Sequence, residues 1–176
     1  MGIPSRFKLP FIVQCILFLV PVNIYVVGDW LAAGMQWIFF RYQQSYLGNG
    51  FIIFARDLDY IRYGWITGRS AFAAEVAMAA SLLLMLALLV FLYIGLKESA
   101  THAKAGALIT IAGGCLFLLS DMIQYGMFFH GPAGFAIPVG VPVILVCGWW
   151  MYQMKFPDTI TERSDELKPV DEDKIP

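Results

Sequence analysis

Charged side chains are scarce in this chain of 176 residues, and histidine and cysteine are scarcer still. Only 14% of the residues are charged, whereas a typical soluble domain has about 25%. The chain has two histidines and three cysteines. With a formal net charge of −1, it lacks the basic stripe with which proteins bind phosphate backbones, so we expect no nucleic-acid partner.

The sequence also lacks the short motifs that mark common catalytic and cofactor sites. It contains no G-x-S-x-G, H-E-x-x-H, Walker or dinucleotide-binding signature. Cys15, Cys115 and Cys147 stand apart in apolar sequence and form no C-x-x-C pair, and His102 and His130 flank the third apolar run on opposite sides. We therefore expect no metal, no cofactor and no catalytic residue, and a non-catalytic protein is favoured over an enzyme.

Apolar sequence is abundant. Hydrophobic residues make up 59% of the chain, and four runs approach or exceed the roughly 20 residues that a helix needs to cross a bilayer. They cover about 9–28, 71–96, 105–129 and 134–154. These runs predict an all-α integral membrane protein, a four-transmembrane-helix bundle in the lipid bilayer. The first run is longer than a usual signal peptide core, so an uncleaved anchor is favoured.

The lysines indicate the orientation of this bundle. If the N-terminus is cytoplasmic, all six lysines fall on the cytoplasmic side, as the positive-inside rule requires. The sequence thus predicts a multi-pass protein of the cell membrane with both termini cytoplasmic. Residues 1–155 would form the transmembrane domain, and 156–176, which are acidic and contain proline, would form a disordered cytoplasmic tail.

The external segment between the first two runs, 29–70, is rich in aromatic residues and arginine. Its two short apolar runs are too short to span, and a turn signal from Leu47 to Gly50 separates them. This pattern predicts an external cap of two short interfacial helices over the outer ends of the bundle. The same segment is equally suited to docking another subunit, and the sequence leaves both interpretations open.

One face of the third predicted helix is small and polar. At 100° per residue, its small members lie within about 80° of Gly106. They are Gly106, Thr110, Gly113 and Gly114. We predict that these positions pack closely against another helix. Asp121 and Gln124 continue the same stripe toward the outer end, so Asp121 is expected to face the bundle.

A carboxylate at this depth needs a partner or a polar cavity, because facing lipid would cost several kcal/mol. Glu75 and Arg69 lie at the outer end of the second run, and Pro138 would leave the carbonyl of Gly134 without its helical donor. The sequence therefore predicts an outward-facing polar pocket. Its candidate ligand-binding residues are Glu75, Asp121, Gln124, Arg69, Gly134 and Pro138. In the alternative interpretation, the same acids pair with arginines and are purely architectural.

This pattern is compatible with two functions. The first is a non-catalytic subunit, or an assembly and interaction partner, of a larger membrane complex, with another membrane protein or a second copy as its partner. The alternative is a transporter-like or small-ligand and cation-binding membrane protein that uses the pocket around Asp121 and Glu75. The small size favours the first, because four spans rarely form a full transport path alone.

Overall fold

A computed structural model describes residues 5–97 and 102–154, with side chains for 8–96 and 102–154. The chain is mixed α/β. In order, its elements are α1 (Ser5–Leu17), β1 (Asn23–Val27), β2 (Ala32–Gln36), β3 (Phe40–Ser45), β4 (Gly48–Ile53), α2 (Phe54–Arg62), α3 (Gly68–Lys97), α4 (Ala103–Tyr125), β5 (His130–Gly131), β6 (Gly134–Ile137) and α5 (Val141–Gln153).

The strands form one antiparallel sheet in the order β4-β3-β2-β1-β6-β5. Strand β1 is central: it pairs with β2, where Tyr25 lies opposite Gly34, and with β6, where Tyr25 lies opposite Ala136. The second pairing joins segments that are more than a hundred residues apart in the chain. The sheet is therefore completed only when the segment after α4 returns to β1.

The predicted all-α four-helix bundle with an external cap of interfacial helices is wrong, because the chain contains this six-stranded sheet. The first apolar run does not form one long helix. Helix α1 ends at Leu17, and the run continues through Pro21 into the strand sequence NIYVV. A buried strand and a buried helix both read as a continuous apolar run, and the two are separated only by length and β-branched content.

The fourth run was also assigned wrongly. Its first residues, Gly134–Ile137, form β6, and helix α5 begins only at Val141. Pro142 therefore lies in the first turn of α5, where the missing N–H has no helical partner to lose. Pro138 lies between β6 and α5, so neither proline kinks a helix. The prediction that Pro138 leaves the carbonyl of Gly134 without a helical donor is wrong, because Gly134 belongs to a strand.

The segment 29–70 forms three strands and one short helix instead of two interfacial helices. Strands β3 and β4, with sequences FRYQQS and GNGFII, pair as a hairpin across a turn at Tyr46 and Leu47. The predicted turn from Leu47 to Gly50 overlaps this turn only at Leu47, because Gly48 already begins β4. The glycines therefore belong to a strand of the hairpin and not to its turn.

Among the described residues, only two helices are long and apolar enough to cross a membrane: Gly68–Leu96 and Ala103–Tyr125. The expected four transmembrane spans are therefore wrong, because the apolar helices Lys8–Leu17 and Val141–Gln153 are shorter. Helices α3 and α4 form an antiparallel pair, with α1 against α3 and α5 against α4. The predicted tail, 156–176, lies outside the described residues.

The sheet is fixed to one end of the helical bundle by the connection between β2 and β3. Ile38 in this connection is 2% exposed, and its carbonyl accepts a hydrogen bond from Ser81 of α3. The indole of Trp37 donates to the carbonyl of Leu19, 3.1 Å away, just after α1. One face of the sheet thereby packs beside the first half of α3, as far as Ser81, and beside the last turns of α4.

Candidate functional site

A cavity of about 280 Å³ lies between the sheet, α2 and the sheet-proximal ends of α3 and α4. Small-molecule sites typically enclose about 300–1,000 Å³, so this cavity suits a ligand at the small end of that range. Its lining combines apolar and aromatic side chains with polar ones in comparable measure. The polar residues that matter below are Tyr25, Arg41, Asp57, Asp121, Gln124 and Tyr125.

Asp121 lies on α4 where the helix meets β1. It is 4% exposed, and its Oδ1 accepts a hydrogen bond of 2.6 Å from the amide Nδ2 of Asn23. Asn23, the first residue of β1, is 2% exposed. The remaining oxygens of the pair, Asp121 Oδ2 and Asn23 Oδ1, are buried and have no hydrogen-bond partner. The sheet, and not lipid, therefore covers the carboxylate.

An ion pair forms another wall of the cavity. The Arg41 guanidinium of β3 donates to the Asp57 carboxylate of α2 at 2.6 Å. Burial raises the pKa of Asp57, and the positive charge of Arg41 offsets part of that rise. Burial likewise raises the pKa of Tyr25, whose hydroxyl donates to Gln43 at 3.4 Å. These groups form a polar wall opposite the helix ends.

Three buried side-chain atoms lack a hydrogen-bond partner within the described part of the chain: Asp121 Oδ2, Asn23 Oδ1 and Arg41 Nε. All three belong to this site, since Asp121 and Arg41 line the cavity and Asn23 is bonded to Asp121. Leaving a buried polar group unsatisfied costs about 1–3 kcal/mol, so native proteins rarely keep such atoms without a reason. Two of these atoms belong to residues that line the cavity, Asp121 and Arg41, which makes it the candidate site.

The residues proposed from the sequence divide into two groups. Asp121 and Gln124 line the cavity. Glu75 is exposed on α3 and is not part of the lining. Arg69 is exposed and donates to the backbone carbonyls of Ile123 and Met122 near the end of α4, not to Asp121.

The other two proposed pocket residues belong to the sheet. Gly134 begins β6 opposite Val27, and Pro138 follows that strand. Neither lines the cavity.

The small residues of α4 lie at helix contacts. A side chain added at Gly106 would meet Phe91 of α3, and one at Gly113 would meet Leu84 of the same helix. Gly114 faces α5 instead. Two different neighbours thus approach α4 along its small-residue face.

Thr110 lies at a polar contact inside the bundle. Its hydroxyl donates to the side-chain carbonyl of Gln14 on α1, 3.1 Å away, and the Gln14 amide donates to the carbonyl of Leu84 at 3.2 Å. Both polar residues are completely buried. Such bonds hold helices together where water is absent.

Sequence reasoning missed Asn23, Tyr25, Arg41, Asp57 and Tyr125. Asn23 and Tyr25 fell inside an apolar run read as a helix, and Arg41 and Asp57 were assigned to a cap. The one available signal was the hairpin pattern of β3 and β4. Because side chains alternate between the two faces of a strand, that pattern would have placed Arg41 on a defined face of a sheet.

The fold and cavity together define a class: a helical bundle with two long apolar helices, carrying an antiparallel sheet that encloses a small polar site. No family model matches the chain, and no curated protein sequence matches it.

Proposed function

We propose that this is a membrane protein that binds a small ligand, through positive charge or hydrogen-bond donors, in the cavity at Asp121. The carrying observation is the Asp121 carboxylate itself: it is almost fully buried, lines the cavity and has an oxygen without a partner. A buried acid without a cation is costly, so a ligand that neutralises it gains binding energy. Helices α3 and α4 anchor the protein, and the sheet and cavity lie on the outer side.

The membrane location rests on the outward faces of the long helices. Leu82, Leu86 and Leu89 of α3 are 60%, 46% and 53% exposed, a pattern that suits contact with acyl chains. The orientation follows from the helix directions. The ends of α3 and α4 away from the sheet carry Lys97 and Lys104, so the positive-inside rule assigns that side to the cytoplasm.

Ligand binding is a better account than transport by a single copy. Beyond the cavity, toward the cytoplasmic end of the bundle, a packed cluster of apolar side chains fills the space between the helices. Its buried members include Phe91, Ala107 and Met151. An aqueous path would need polar groups or space there, and the cluster offers neither.

The test is direct identification of the bound molecule. The protein is purified from its own membrane in mild detergent, denatured, and the released small molecules are measured by mass spectrometry. We expect about one equivalent per chain, as for a single site. Asp121→Asn and Ala74→Phe should each lower it at least about tenfold, the first by removing the charge and the second by filling the cavity.

The matched control is Asp59→Asn, the same substitution at an exposed position on α2. It should leave the bound amount unchanged, and all variants should unfold at temperatures near that of the wild type. A wild-type preparation without any bound molecule would contradict the proposal. So would equal amounts in the wild type and Asp121→Asn. A large loss of thermal stability in Asp121→Asn without loss of a ligand would assign the acid an architectural role.

A second candidate is the role of a non-catalytic subunit or assembly partner, with a membrane protein or a second copy as its partner. The observation that favours it is the outer edge of the sheet. Within the described part of the chain, strand β4 pairs only with β3. Exposed apolar side chains lie at this edge: Tyr46, Leu47, Phe51 and Ile53 are 79%, 83%, 65% and 58% exposed. Open edge strands with apolar side chains are sites where another chain can pair.

Substitution at this edge tests the second candidate. Ile53→Lys should shift the protein in mild detergent from an assembly to a monomer, because the lysine disfavours edge-to-edge pairing. Mass measurement by light scattering checks this. The control is Arg56→Lys, at an exposed position on α2. Leu82→Lys would not serve, because Leu82 faces the proposed lipid surface. Monomeric wild-type protein in its native detergent extract would contradict this role.

A further inference from the structure

The unpartnered atoms at the cavity specify what a ligand has to supply. Asp121 Oδ2 and Asn23 Oδ1 are acceptors and need hydrogen-bond donors, whereas Arg41 Nε is a donor and needs an acceptor. The acceptors lie where α4 meets β1, and the donor lies on β3. Asp121 and Arg41 line the cavity, so a ligand that satisfies both carries a donor at one end and an acceptor at the other.

In their ionised forms, the lining side chains favour a cationic ligand. Arg41 and Asp57 neutralise each other across 2.6 Å, while Asp121 is bonded only to the neutral amide of Asn23. With one positive and two negative side chains, the lining carries a formal charge of −1. Arg69, which the sequence suggested as a partner for Asp121, donates to backbone carbonyls instead. A ligand with one positive charge balances the site, and a zwitterion does not.

Aromatic rings complete the lining and favour an organic cation. The rings of Tyr25, Tyr125, Phe40, Phe54 and Trp37 border the cavity. Aromatic faces attract ammonium groups and also pack against the apolar part of a ligand. A metal ion is a poorer match, because the described residues contain no group of three or more histidine, cysteine or acidic side chains that could hold one.

We propose that the ligand is a small protonated monoamine with a neutral hydrogen-bond acceptor, such as a hydroxyl group, at its other end. The ammonium group donates to Asp121, the acceptor receives the Arg41 Nε–H, and the carbon skeleton packs among the rings. This inference rests on the proposed function and assigns the chemical class of ligand for the same site.

Four related compounds test it by calorimetry on the purified full chain. Tyramine has the ammonium group and a hydroxyl, phenethylamine lacks the hydroxyl, tyrosol replaces the ammonium by a neutral hydroxyl, and tyrosine adds a carboxylate. We expect tyramine to bind best. Phenethylamine should bind about 10-fold more weakly, as for one lost hydrogen bond to a charged group. Tyrosol and tyrosine should bind at least about 100-fold more weakly because charge balance is lost.

Two variants test which residue contacts each end of the ligand. Asp121→Asn should weaken tyramine about 100-fold or more, by removing the charge that the ammonium meets. Arg41→Lys keeps a positive charge beside Asp57 but has no Nε donor, so it should weaken tyramine about 10-fold and leave phenethylamine unchanged. A merely structural loss would weaken both compounds equally. Unfolding temperatures verify that each variant is folded.

Tyrosol binding as tightly as tyramine would overturn the inference, as would tyramine binding that Asp121→Asn leaves intact. If none of the four compounds binds, the chemical identity of the molecule released from the native protein tests the inference. An amine with an acceptor group supports the inference, and a molecule without an ammonium group overturns it while leaving the proposed function standing. If no molecule is released and no compound binds, both the inference and the proposed function fail.

Discussion

Replacement of Gly134 by alanine is expected to abolish stable folding of the protein. Gly134 has φ +116°, a conformation that residues with a side chain rarely adopt. A Cβ atom there would also lie 1.9 Å from the carbonyl oxygen of Val26 and 3.0 Å from the amide nitrogen of Gly28. Both are backbone atoms, the first in β1 and the second directly after it, so neither can turn aside as a flexible side chain would.

The expected cost is at the upper end for single substitutions, about 4 kcal/mol or more, because backbone strain and a steric collision add. Strand β6 is joined to the sheet through this pairing and leads directly into α5. Displacing it disturbs the sheet and the helical bundle together. The measurement is the yield of monodisperse protein in mild detergent and its unfolding temperature.

Two other glycines of the same sheet are matched controls. Gly48 has φ +128° but no atom within 4 Å of an added Cβ, so Gly48→Ala isolates the backbone strain and should cost about 1–2 kcal/mol. Gly50 has neither constraint, so Gly50→Ala should be neutral to within about 1 kcal/mol. If Gly134→Ala were as stable as Gly50→Ala, the close pairing of β6 with β1 would be wrong.

The two long helices were predictable because their signal is local. The runs 71–96 and 105–129 correspond to α3, which spans Gly68–Lys97, and α4, which spans Ala103–Tyr125. Rotation at 100° per residue needs only the sequence of one helix, and it put the small residues and Asp121 of α4 on a single face. In the structure that face is the buried one.

The sheet was not predictable in the same way, because its key pairing is not local. Strand β1 is followed by four strands and three helices before β6 returns to it. Both strands are short and apolar, and each adjoins an apolar helix, so each was absorbed into a longer apolar run. The run 9–28 therefore concealed a helix followed by a strand, and 134–154 concealed a strand followed by a helix.

The candidate site shows the same division. Asp121 was identifiable because an acid within an apolar helix needs a partner wherever the rest of the chain lies. Its actual partner, Asn23, comes from the misassigned strand. The nearby arginine chosen from the sequence, Arg69, reaches only backbone carbonyls at the end of α4. The cavity wall at Arg41 and Asp57 depended on the hairpin, and it was missed with the hairpin.

Gly114→Leu is expected to prevent α5 from packing against α4. A Cβ atom at Gly114 would lie 2.9 Å from Leu145 Cδ2 and 3.0 Å from Ile144 Cγ2. Ile144 is 1% exposed, so its side chain has no free space to enter. The rest of a leucine side chain must then push the two helices apart, with a cost of about 3 kcal/mol or more.

A graded series tests this prediction by thermal unfolding in detergent. Gly114→Ala should cost less than Gly114→Leu, because the tip of Leu145 can turn away from a single added methyl group. Leu119→Ile, on the same helix but 45% exposed, should leave the unfolding temperature nearly unchanged. Since α5 follows β6 directly, we also expect Gly114→Leu to weaken ligand binding at the cavity although Gly114 does not line it. Equal unfolding temperatures for Gly114→Leu and Leu119→Ile would show that α5 does not pack on this face of α4.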